Sequence, residues 1–260
     1  MKTKNIFLGL TFVLSLSLIS WGVTGHRSIA KIAENHLSPK AKAAVDQLLG
    51  TEDMPIVSTY ADEIRYDAAY KYTGPWHYVN LPLGLSYEQF SAAVQADTTA
   101  NVYNALLKMK AQLVDPKSNK ADKVFALKML IHFVGDLHQP MHVSREEDQG
   151  GNKIKLKFQG RDTNLHSLWD SGLIEYNGWT FTEMATALDH VSDPKIKQWQ
   201  SDPIIKWLYE SYQISSQLYK EVEANPELDY TYYPKHSEIY KTRIQQAGIR
   251  LAGMLNVIYK

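Results

Sequence analysis

Apolar residues recur at intervals of three and four along most of this chain, the spacing that places them on one face of an α-helix. A helix over residues 40–49 is marked at both ends, by Ser38-Pro39 before it and by Gly50 after it. The same spacing predicts further helices, over residues 58–66, 87–113, 178–190, 195–224 and 235–258. The chain is therefore predicted to be mainly α.

Two short stretches break the helical spacing. Residues 152–158 alternate polar and apolar side chains, which is typical of a half-exposed strand, and Gly160 begins the turn that leads out of it. Residues 75–82, bounded by prolines, predict a second extended piece, either a strand or a loop. The sequence has no internal repeat, low-complexity segment or linker, so one mostly α-helical domain is expected.

One buried helix is predicted to carry two polar residues. The apolar run before His132 indicates that this helix is buried, and His132 and Asp136 share one of its faces because residues four apart lie one turn above each other. Pro140 disfavours helical geometry at the preceding residue and cannot continue the helix. The helix should therefore end near His138, and the chain should turn before it presents His142. A carboxylate between two separated imidazoles is well placed to hold more than one metal ion.

Composition narrows the chemistry that is available. The chain has 260 residues, 44% hydrophobic and 22% charged, a globular balance with ample core. Basic and acidic side chains number 28 each, so no general positive field exists to hold nucleic acid, and a polyanion would have to be bound locally. Cysteine is absent, which excludes disulfides and thiolate ligands and leaves His, Asp, Glu and main-chain groups to bind metals.

Residues 1–20 have the layout of a secretory signal peptide. Lys2 and Lys4 precede an apolar stretch, and Ser20 is a small residue at a suitable cleavage point. The stretch leaves no room for a membrane-spanning helix with flanks. We therefore expect the mature protein to begin at Trp21, in the periplasm or outside the cell. The α-amine of Trp21 could then ligate a metal, since its reference pKa of about 8 makes deprotonation reachable near neutral pH.

A second histidine–aspartate pair has the same four-residue spacing as the first. Residues 164–172 predict a short helix, capped by Asn164, with His166 and Asp170 on one face. His26 follows closely after the expected cleavage point. Taken singly, such features are usually structural, but their joint occurrence indicates a metal site, and an unpaired imidazole inside the apolar run would be costly. Imidazole nitrogen with carboxylate oxygen and no thiolate suits Zn²⁺.

Other polar residues have simpler interpretations when each is considered alone. His77 is then a lone structural histidine, and Asp62 with Arg65 is an ordinary ion pair on one helical face. Three histidines lie at helix boundaries and are predicted to be caps or surface groups: His36, His190 and His236.

The candidate residues belong to motifs that span the expected mature chain: Trp21-Gly-x-x-Gly-His26, Ala61-Asp62-x-x-Arg65, Trp76-His77-Tyr78, His132-Phe-x-Gly-Asp136-x-His138-Gln-Pro-x-His142, Gly150-Gly151-Asn152, Asn164-Leu-His166-x-x-Trp169-Asp170 and Ala247-Gly-x-Arg-Leu-Ala252. That set, in that order, is highly specific. It resembles the S1/P1 nuclease family, secreted zinc-dependent nucleases related in fold and metal site to bacterial zinc phospholipase C. The resemblance implies a mainly α, single-domain fold of the phospholipase C/P1 nuclease type over residues 21–260, with a small β-hairpin.

The resemblance also implies three zinc ions and assigns their ligands. Asp136 would bridge the first and the third ion. The ligands fall into three groups: Asp62, His77, His132 and Asp136 for the first zinc; His142, His166 and Asp170 for the second; the α-amine and carbonyl of Trp21, with His26, for the third.

The activity that the resemblance implies is hydrolysis of single-stranded DNA and RNA to 5′-phosphorylated products, with 3′-nucleotidase activity expected beside it. Asp62 would orient the attacking water as well as bind zinc, and Arg65 would contact the phosphate. Tyr78 and Asn80 fall where the family stacks and hydrogen-bonds a base, and Asn152 is expected to contact substrate as well. Many fungal and plant members have Phe and Asp where this chain has Tyr78 and Asn80; Tyr still offers a stacking face, but Asn donates as well as accepts, so the base preference of this chain is left open.

Two other classes of protein stay open on the sequence alone. A zinc phosphodiesterase acting on phospholipid head groups would use the same metals, but it would want an apolar or choline-accepting surface beside His77, and Tyr78 with Asn80 argues against it. A protein that only stores zinc, or uses it as a structural staple, would close each site with four protein ligands, whereas the second and third sites leave positions open. The expected partners are single-stranded nucleic acids and nucleotides, with no stable protein partner and no transmembrane segment in the mature chain.

Overall fold

The structure, a computed structural model, describes residues 21–260, and the predicted signal peptide lies outside the described residues. The mainly α prediction is confirmed. Within the described part, twelve α-helices succeed one another: α1 Gly22–Asn35, α2 Pro39–Leu49, α3 Met54–Val57, α4 Tyr60–Ile64, α5 Tyr87–Ala96, α6 Val102–Val114, α7 Lys120–His138, α8 Leu165–Ser167, α9 Phe181–Leu188, α10 Asp193–Ser201, α11 Ile204–Ala224 and α12 Tyr232–Ile258. None of the helices in residues 21–260 is both long and apolar enough to cross a membrane.

Helix α7 is the centre of the fold. The side chain of Asn119 caps its start by accepting a hydrogen bond from the backbone N–H of Asp122 at 2.9 Å. From Ala126 to His138 every residue is buried, and α1, α6, α11 and α12 pack around this part. The helix ends at His138 because the next residue is extended before Pro140, as the sequence predicted. The predicted ligands on α7 are therefore buried in the core and shielded from bulk solvent.

Helices α11 and α12 hold the C-terminal end of α7 in place. Arg243 donates from Nε to the carbonyl of His138 at 3.1 Å, and Ser211 donates from Oγ to the carbonyl of Leu137 at 2.7 Å. These bonds satisfy carbonyls that have no partner within the helix. Arg250 approaches the ring of His138 at 3.0 Å, and both arginines pair with Glu210 at 2.6 and 2.7 Å. The charge network fixes the turn that follows α7.

Short strands hold the loops around the same end of α7. Strand β1, Val79–Asn80, pairs in parallel with β2, Val143–Ser144, and so joins the segment after His77 to the segment after His142. The predicted hairpin is confirmed by β3, Lys155–Phe158, and β4, Arg161–Asn164, whose connecting residues Gln159 and Gly160 both have positive φ. A fifth strand, β5, Glu227–Leu228, adds to β3 in parallel.

The single helix predicted over residues 87–113 is wrong, because the structure has two helices there. Residues 97–101 separate α5 from α6. The carboxylate of Asp97 accepts from the backbone N–H of Thr99 at 2.8 Å, and Asn101 caps α6 by accepting from the N–H of Asn104 at 2.9 Å. Such local side-chain bonds compete with the helical ladder, and an apolar pattern that continues in phase across them hides the break.

Two other helix predictions need similar corrections. The helix predicted over residues 195–224 is interrupted before Ile204, because Pro203 has no N–H and ends the preceding turn. The helix predicted over 58–66 is instead α4, preceded by the separate turn α3, and Ser58 donates its hydroxyl to the carbonyl of Pro55 at 2.7 Å instead of capping a helix. The segment before β1 is a 3₁₀ helix, Lys71–His77.

Candidate metal centre and substrate cleft

The predicted ligand side chains come from separate elements and meet near the last turn of α7. His26 lies on α1, Asp62 on α4 and His77 at the end of the 3₁₀ helix. The other ligands follow from α7 and the segments after it: His132 and Asp136 on α7, His142 on the 3₁₀ turn Pro140–His142, His166 on α8 and Asp170 on the π-helical turn Leu168–Gly172. Most of these side chains expose only a few per cent of their surface, and His166 is the most open of them, at 12% side-chain exposure.

The first group lies around one oxygen of Asp136. Its Oδ2 is 3.1 Å from Nδ1 of His77 and 3.2 Å from Nε2 of His132, and those two ring nitrogens are 3.1 Å apart. Oδ1 of Asp62 completes the group, at 3.7 and 3.8 Å from the same two nitrogens. His77, His132 and Asp136 are thus close enough to hold one metal ion, and Asp62 forms an overlapping group with His132 and His26.

The second group is centred on Asp170. Its Oδ2 lies 3.0 Å from Nε2 of His166, and its Oδ1 lies 3.6 Å from Nε2 of His142. His166 and Asp170, four apart in the sequence, do face the same way, as predicted. Asn164 caps α8 by accepting from the N–H of Ser167 at 2.8 Å, and the π-helical turn that follows carries Asp170. Three donor atoms can hold a metal ion here and leave a position open.

The remaining two predicted ligands lie on either side of these groups. His26 places Nε2 at 3.5 Å from Oδ1 of Asp136, the oxygen turned away from His77. Asp136 therefore presents one oxygen to each side, which is the geometry that a bridging carboxylate needs. The backbone nitrogen of Trp21 lies instead against the second group, donating to Oδ1 of Asp170 at 2.9 Å. The indole of Trp21 is anchored by a 2.7 Å bond from Nε1 to the carbonyl of Gly135.

Backbone carbonyls orient three of the histidine rings. Each ring donates from Nδ1 at 2.7 or 2.8 Å, which leaves Nε2 as the nitrogen that can bind a metal once it carries no proton. The carbonyls belong to Ser58 for His132, His77 for His142 and Gly150 for His166. Nε2 faces a carboxylate in all three cases, and Nδ1 of His142 also lies 3.4 Å from Oδ1 of Asp136, so each ring has a nitrogen that could bind a metal.

The donor atoms of the two groups suit a divalent cation. With Nδ1 of His166 donating to Gly150, its Nε2 and Oδ2 of Asp170 are two acceptors only 3.0 Å apart, which requires a proton or a cation between them. Both oxygens of Asp62 and Nε2 of His142 are also buried without a hydrogen-bond partner among the described residues. Nitrogen and carboxylate oxygen without sulfur are donors that suit zinc.

The ionisation of the metal-free centre shows what a metal must displace. Burial disfavours the charged form of His142, but Asp136 and Asp170 outweigh it and raise its pKa to about 9. Burial would likewise raise the pKa of Asp136, but His132 and His142 hold it well below the usual range. The carboxylates therefore stay charged at neutral pH, and a proton on His142 takes the place of a cation.

A cleft of about 680 Å³ opens onto this centre. Arg65 lines it, together with ligands of both groups, and the guanidinium lies 3.2 Å from Oδ1 of Asp62. The three predicted substrate contacts, Tyr78, Asn80 and Asn152, line the cleft as well. Tyr78 is 43% exposed, and Oδ1 of each asparagine is buried with no hydrogen-bond partner in residues 21–260. An aromatic face and unsatisfied amide oxygens are thus available beside the metal groups.

Sequence reasoning missed Gln139. This residue is fully buried, and its amide donates to Oδ1 of Asp170 while its oxygen accepts from the backbone N–H of Met141. It therefore ties a residue of the second group to the turn after α7. The only indication of its role in the sequence was its position between His138 and Pro140 of the central motif, and a single glutamine contributes nothing to a hydrophobic pattern.

The histidines that were set aside have mixed outcomes. The surface or capping role predicted for His236 is wrong: the ring is buried and contacts Glu221 at 2.6 Å. His36 is partly exposed and pairs with Asp189 at 2.6 Å, and His190 is exposed. His138, inside the central motif, lies against Arg250, and burial together with the nearby arginines holds its pKa well below the ordinary value.

Comparison with known proteins assigns the family. The S1/P1 Nuclease family model matches residues 21–260. This chain belongs to the S1/P1 nuclease family. It is 30% identical to Endonuclease 2 of Arabidopsis thaliana, over 92% of this chain and 90% of that protein. Identity is 27% to Nuclease S1 of Aspergillus oryzae, over 95% of each chain, and 25% to Nuclease P1 of Penicillium citrinum, over 92% of this chain and 98% of that protein. The chain is therefore a nuclease of the endonuclease class, in a zinc-dependent family.

Proposed function

We propose that this protein is a secreted endonuclease that holds three zinc ions and hydrolyses single-stranded DNA and RNA to 5′-phosphorylated products, with 3′-nucleotidase activity as well. The observation that carries the proposal is the cleft, in which an exposed tyrosine and two unsatisfied asparagine oxygens lie beside His77, His142 and His166. A phosphodiester at the histidines would leave a base within reach of the aromatic ring.

The proposed ligand sets are those that family resemblance implies: Asp62, His77, His132 and Asp136 for one zinc; His142, His166 and Asp170 for a second; Trp21 and His26, with Asp136 as a bridge, for the third. Bound zinc supplies a Lewis acid that lowers the pKa of coordinated water and offsets negative charge on phosphoryl oxygens. The close approach of the first two groups, and the two-sided position of Asp136, support these assignments.

Residues around the metals bind and orient the substrate. Asp62 holds Nη1 of Arg65 at 3.2 Å, and because Arg65 lines the cleft, its N–H groups that have no protein partner could bind a phosphate. Tyr78 offers a face on which a base stacks, and a base must leave its duplex stack to reach it, which favours single strands. The amide oxygens of Asn80 and Asn152 would accept hydrogen bonds from the base or sugar.

The leader forms the second part of the proposal: residues 1–20 are a signal peptide, and residues 21–260 are the mature catalytic domain. The buried position of the Trp21 nitrogen, 2.9 Å from Asp170, supports a role for a free α-amine in the centre. A cytosolic variant with Met in front of Trp21 should fold but bind about two zinc ions in place of three, since an amide nitrogen is a poor ligand at neutral pH. A full zinc complement and full rate in that variant would remove Trp21 from the ligand set.

One experiment tests the proposed activity. A single zinc-loaded preparation is given single-stranded DNA, RNA and phosphatidylcholine, and the products and the zinc content are analysed. We expect about three zinc ions per chain by the ligand count, 5′-phosphates from both nucleic acids and no phospholipid cleavage. Head-group release without nucleic acid cleavage would favour the phospholipase-like alternative, and 3′-phosphate products would contradict the proposed cleavage of the P–O3′ bond.

A further inference from the structure

Tyr66 immediately follows Arg65, which lines the cleft, and the proposed function gives Tyr66 no role. Its side chain is 63% exposed. Its hydroxyl accepts a hydrogen bond from Nη2 of Arg65 at 3.1 Å, and the guanidinium carbon lies 5.1 Å from the centre of the ring. The ring is thus held in place by a cation while most of its surface faces solvent.

Arg65 connects this ring directly to the metal centre. The same guanidinium that binds the hydroxyl of Tyr66 places Nη1 3.2 Å from Oδ1 of Asp62. One arginine side chain therefore lies between a predicted zinc ligand and an exposed aromatic ring. An exposed aromatic ring beside a fixed cation is the kind of platform on which the bases of single-stranded nucleic acids stack.

A second exposed ring lies at the other end of the same segment. Tyr78 follows His77 and lines the cleft, and it is 43% exposed. Arg65 and His77, which both line the cleft, are thus each followed directly by an exposed tyrosine. If Arg65 binds the phosphate that is cleaved, the nucleotide on Tyr78 occupies one side of that phosphate, and the nucleotide on the other side extends along Arg65 towards Tyr66.

We propose that Tyr66 stacks the base of the nucleotide on the 3′ side of the scissile phosphate, so that the protein grips two consecutive bases. The proposal rests on the proposed function, in which Tyr78 binds the base on the 5′ side and the P–O3′ bond breaks. Tyr66 then contributes to the binding of dinucleotides and longer strands, whereas a 3′-mononucleotide has no base that reaches it.

The test compares three substrates that differ only beyond the scissile phosphate: a 3′-mononucleotide, a dinucleotide, and a dinucleotide whose 3′ residue is abasic. Tyr66→Ala should raise KM for the complete dinucleotide about tenfold, the worth of one base stack, and should change KM for the other two much less. Tyr66→Phe keeps the ring and loses only the hydroxyl, so most of the dinucleotide affinity should remain. Zinc content should be the same in all variants.

A matched control is Tyr230→Ala, which removes a ring that is 72% exposed and whose chain neighbours, unlike Arg65, do not line the cleft. It should leave all three substrates unaffected. If Tyr66→Ala weakens all three substrates equally, Tyr66 acts by supporting Arg65 and the stacking proposal is wrong. If the variant leaves the dinucleotide unaffected, no base binds there.

A binding measurement separates this proposal from the proposed function. Calorimetry with a dinucleotide that carries a methylene group in place of the scissile oxygen reports affinity without turnover. If the zinc-loaded protein cleaves none of the substrates, the proposed function fails, yet tenfold weaker binding of this analogue to Tyr66→Ala than to Tyr230→Ala would still support the second stacking site. Equal binding to both variants would overturn it.

Discussion

Gly135→Ala should remove one zinc ion from the centre without unfolding the protein. Gly135 is on α7, one residue before Asp136, and it faces α1. A Cβ atom at this position would lie 2.6 Å from Nδ1 and 2.7 Å from Cε1 of His26. The imidazole is confined on its other side, since it stacks on the ring of His132 with centroids 4.0 Å apart.

The size of the displacement decides the outcome. Ordinary contact with a Cβ begins near 3.4 Å, so the ring must move by 3.4 − 2.6 = 0.8 Å. Zinc–ligand distances tolerate only about 0.2 Å, so the displaced His26 can no longer ligate. Overpacking destabilises the folded protein by about 1–3 kcal/mol, whereas replacing glycine with alanine in a helix stabilises it by roughly 1 kcal/mol. The net loss of stability is therefore small beside the loss of a ligand.

Metal analysis and thermal unfolding together measure both effects. The variant should bind about one zinc ion fewer, by the proposed ligand count, and should lose most of its activity while it still unfolds cooperatively. Gly253→Ala is the matched control: its Cβ meets only the flexible side chain of Gln200, with the nearest atom at 2.7 Å, so zinc content should not change. A Gly135→Ala protein with a full zinc complement and normal rate would refute this account of His26.

Three further predictions concern the other ligands and their supports. Asp136→Asn should lower zinc content and rate more than His166→Ala does, because it weakens two sites together; equal effects in parallel metal and rate assays would leave the bridge unsupported. Gln139→Ala should weaken zinc binding at the second group about 10- to 100-fold in a chelator competition, the usual effect of losing a group that orients a ligand, and Gln139→Glu should not restore it fully. Loading the metal-free protein with zinc at pH 7 should release about one proton from His142, whose pKa is raised to about 9. The zinc affinity should therefore rise with pH and level off above about pH 9. Calorimetry in buffers of different ionisation enthalpy measures the proton release, and a release of zero would contradict the prediction.

The same ionisation gives the metal-free protein a pH-dependent stability. Burial opposes the charge on His142, but Asp136 and Asp170 raise its folded pKa from 6.5 to about 9. A raised pKa contributes stability that is complete below the unfolded value and is lost as pH rises through the folded value. In the metal-free protein this contribution is therefore present at pH 6 and lost by about pH 9, and bound zinc replaces the proton.

Local chemistry explains which parts of the fold were predictable. The end of α7 at His138 was correct because Pro140 acts on its immediate neighbour by steric contact alone. The cap of α8 by Asn164 was correct for the same kind of reason. The break between α5 and α6 was missed, because Asn101 and Asp97 form side-chain bonds whose competition with the helix depends on geometry and not on residue type alone.

By itself the sequence determined the helical class, the two histidine–aspartate pairs, and, through its motifs, the family. Spacing along a helix is a local property, so Asp136 had to lie beside His132. Only the tertiary structure decided that His77 lies 3.1 Å from a histidine 55 positions away, and which oxygen of Asp136 faces which ring. It also showed the hydroxyl of Tyr66 bound to Arg65, a residue that lines the cleft. Those distances result from the packing of α1, α4 and the 3₁₀ helix Lys71–His77 against α7, and no local pattern encodes how separate elements approach each other.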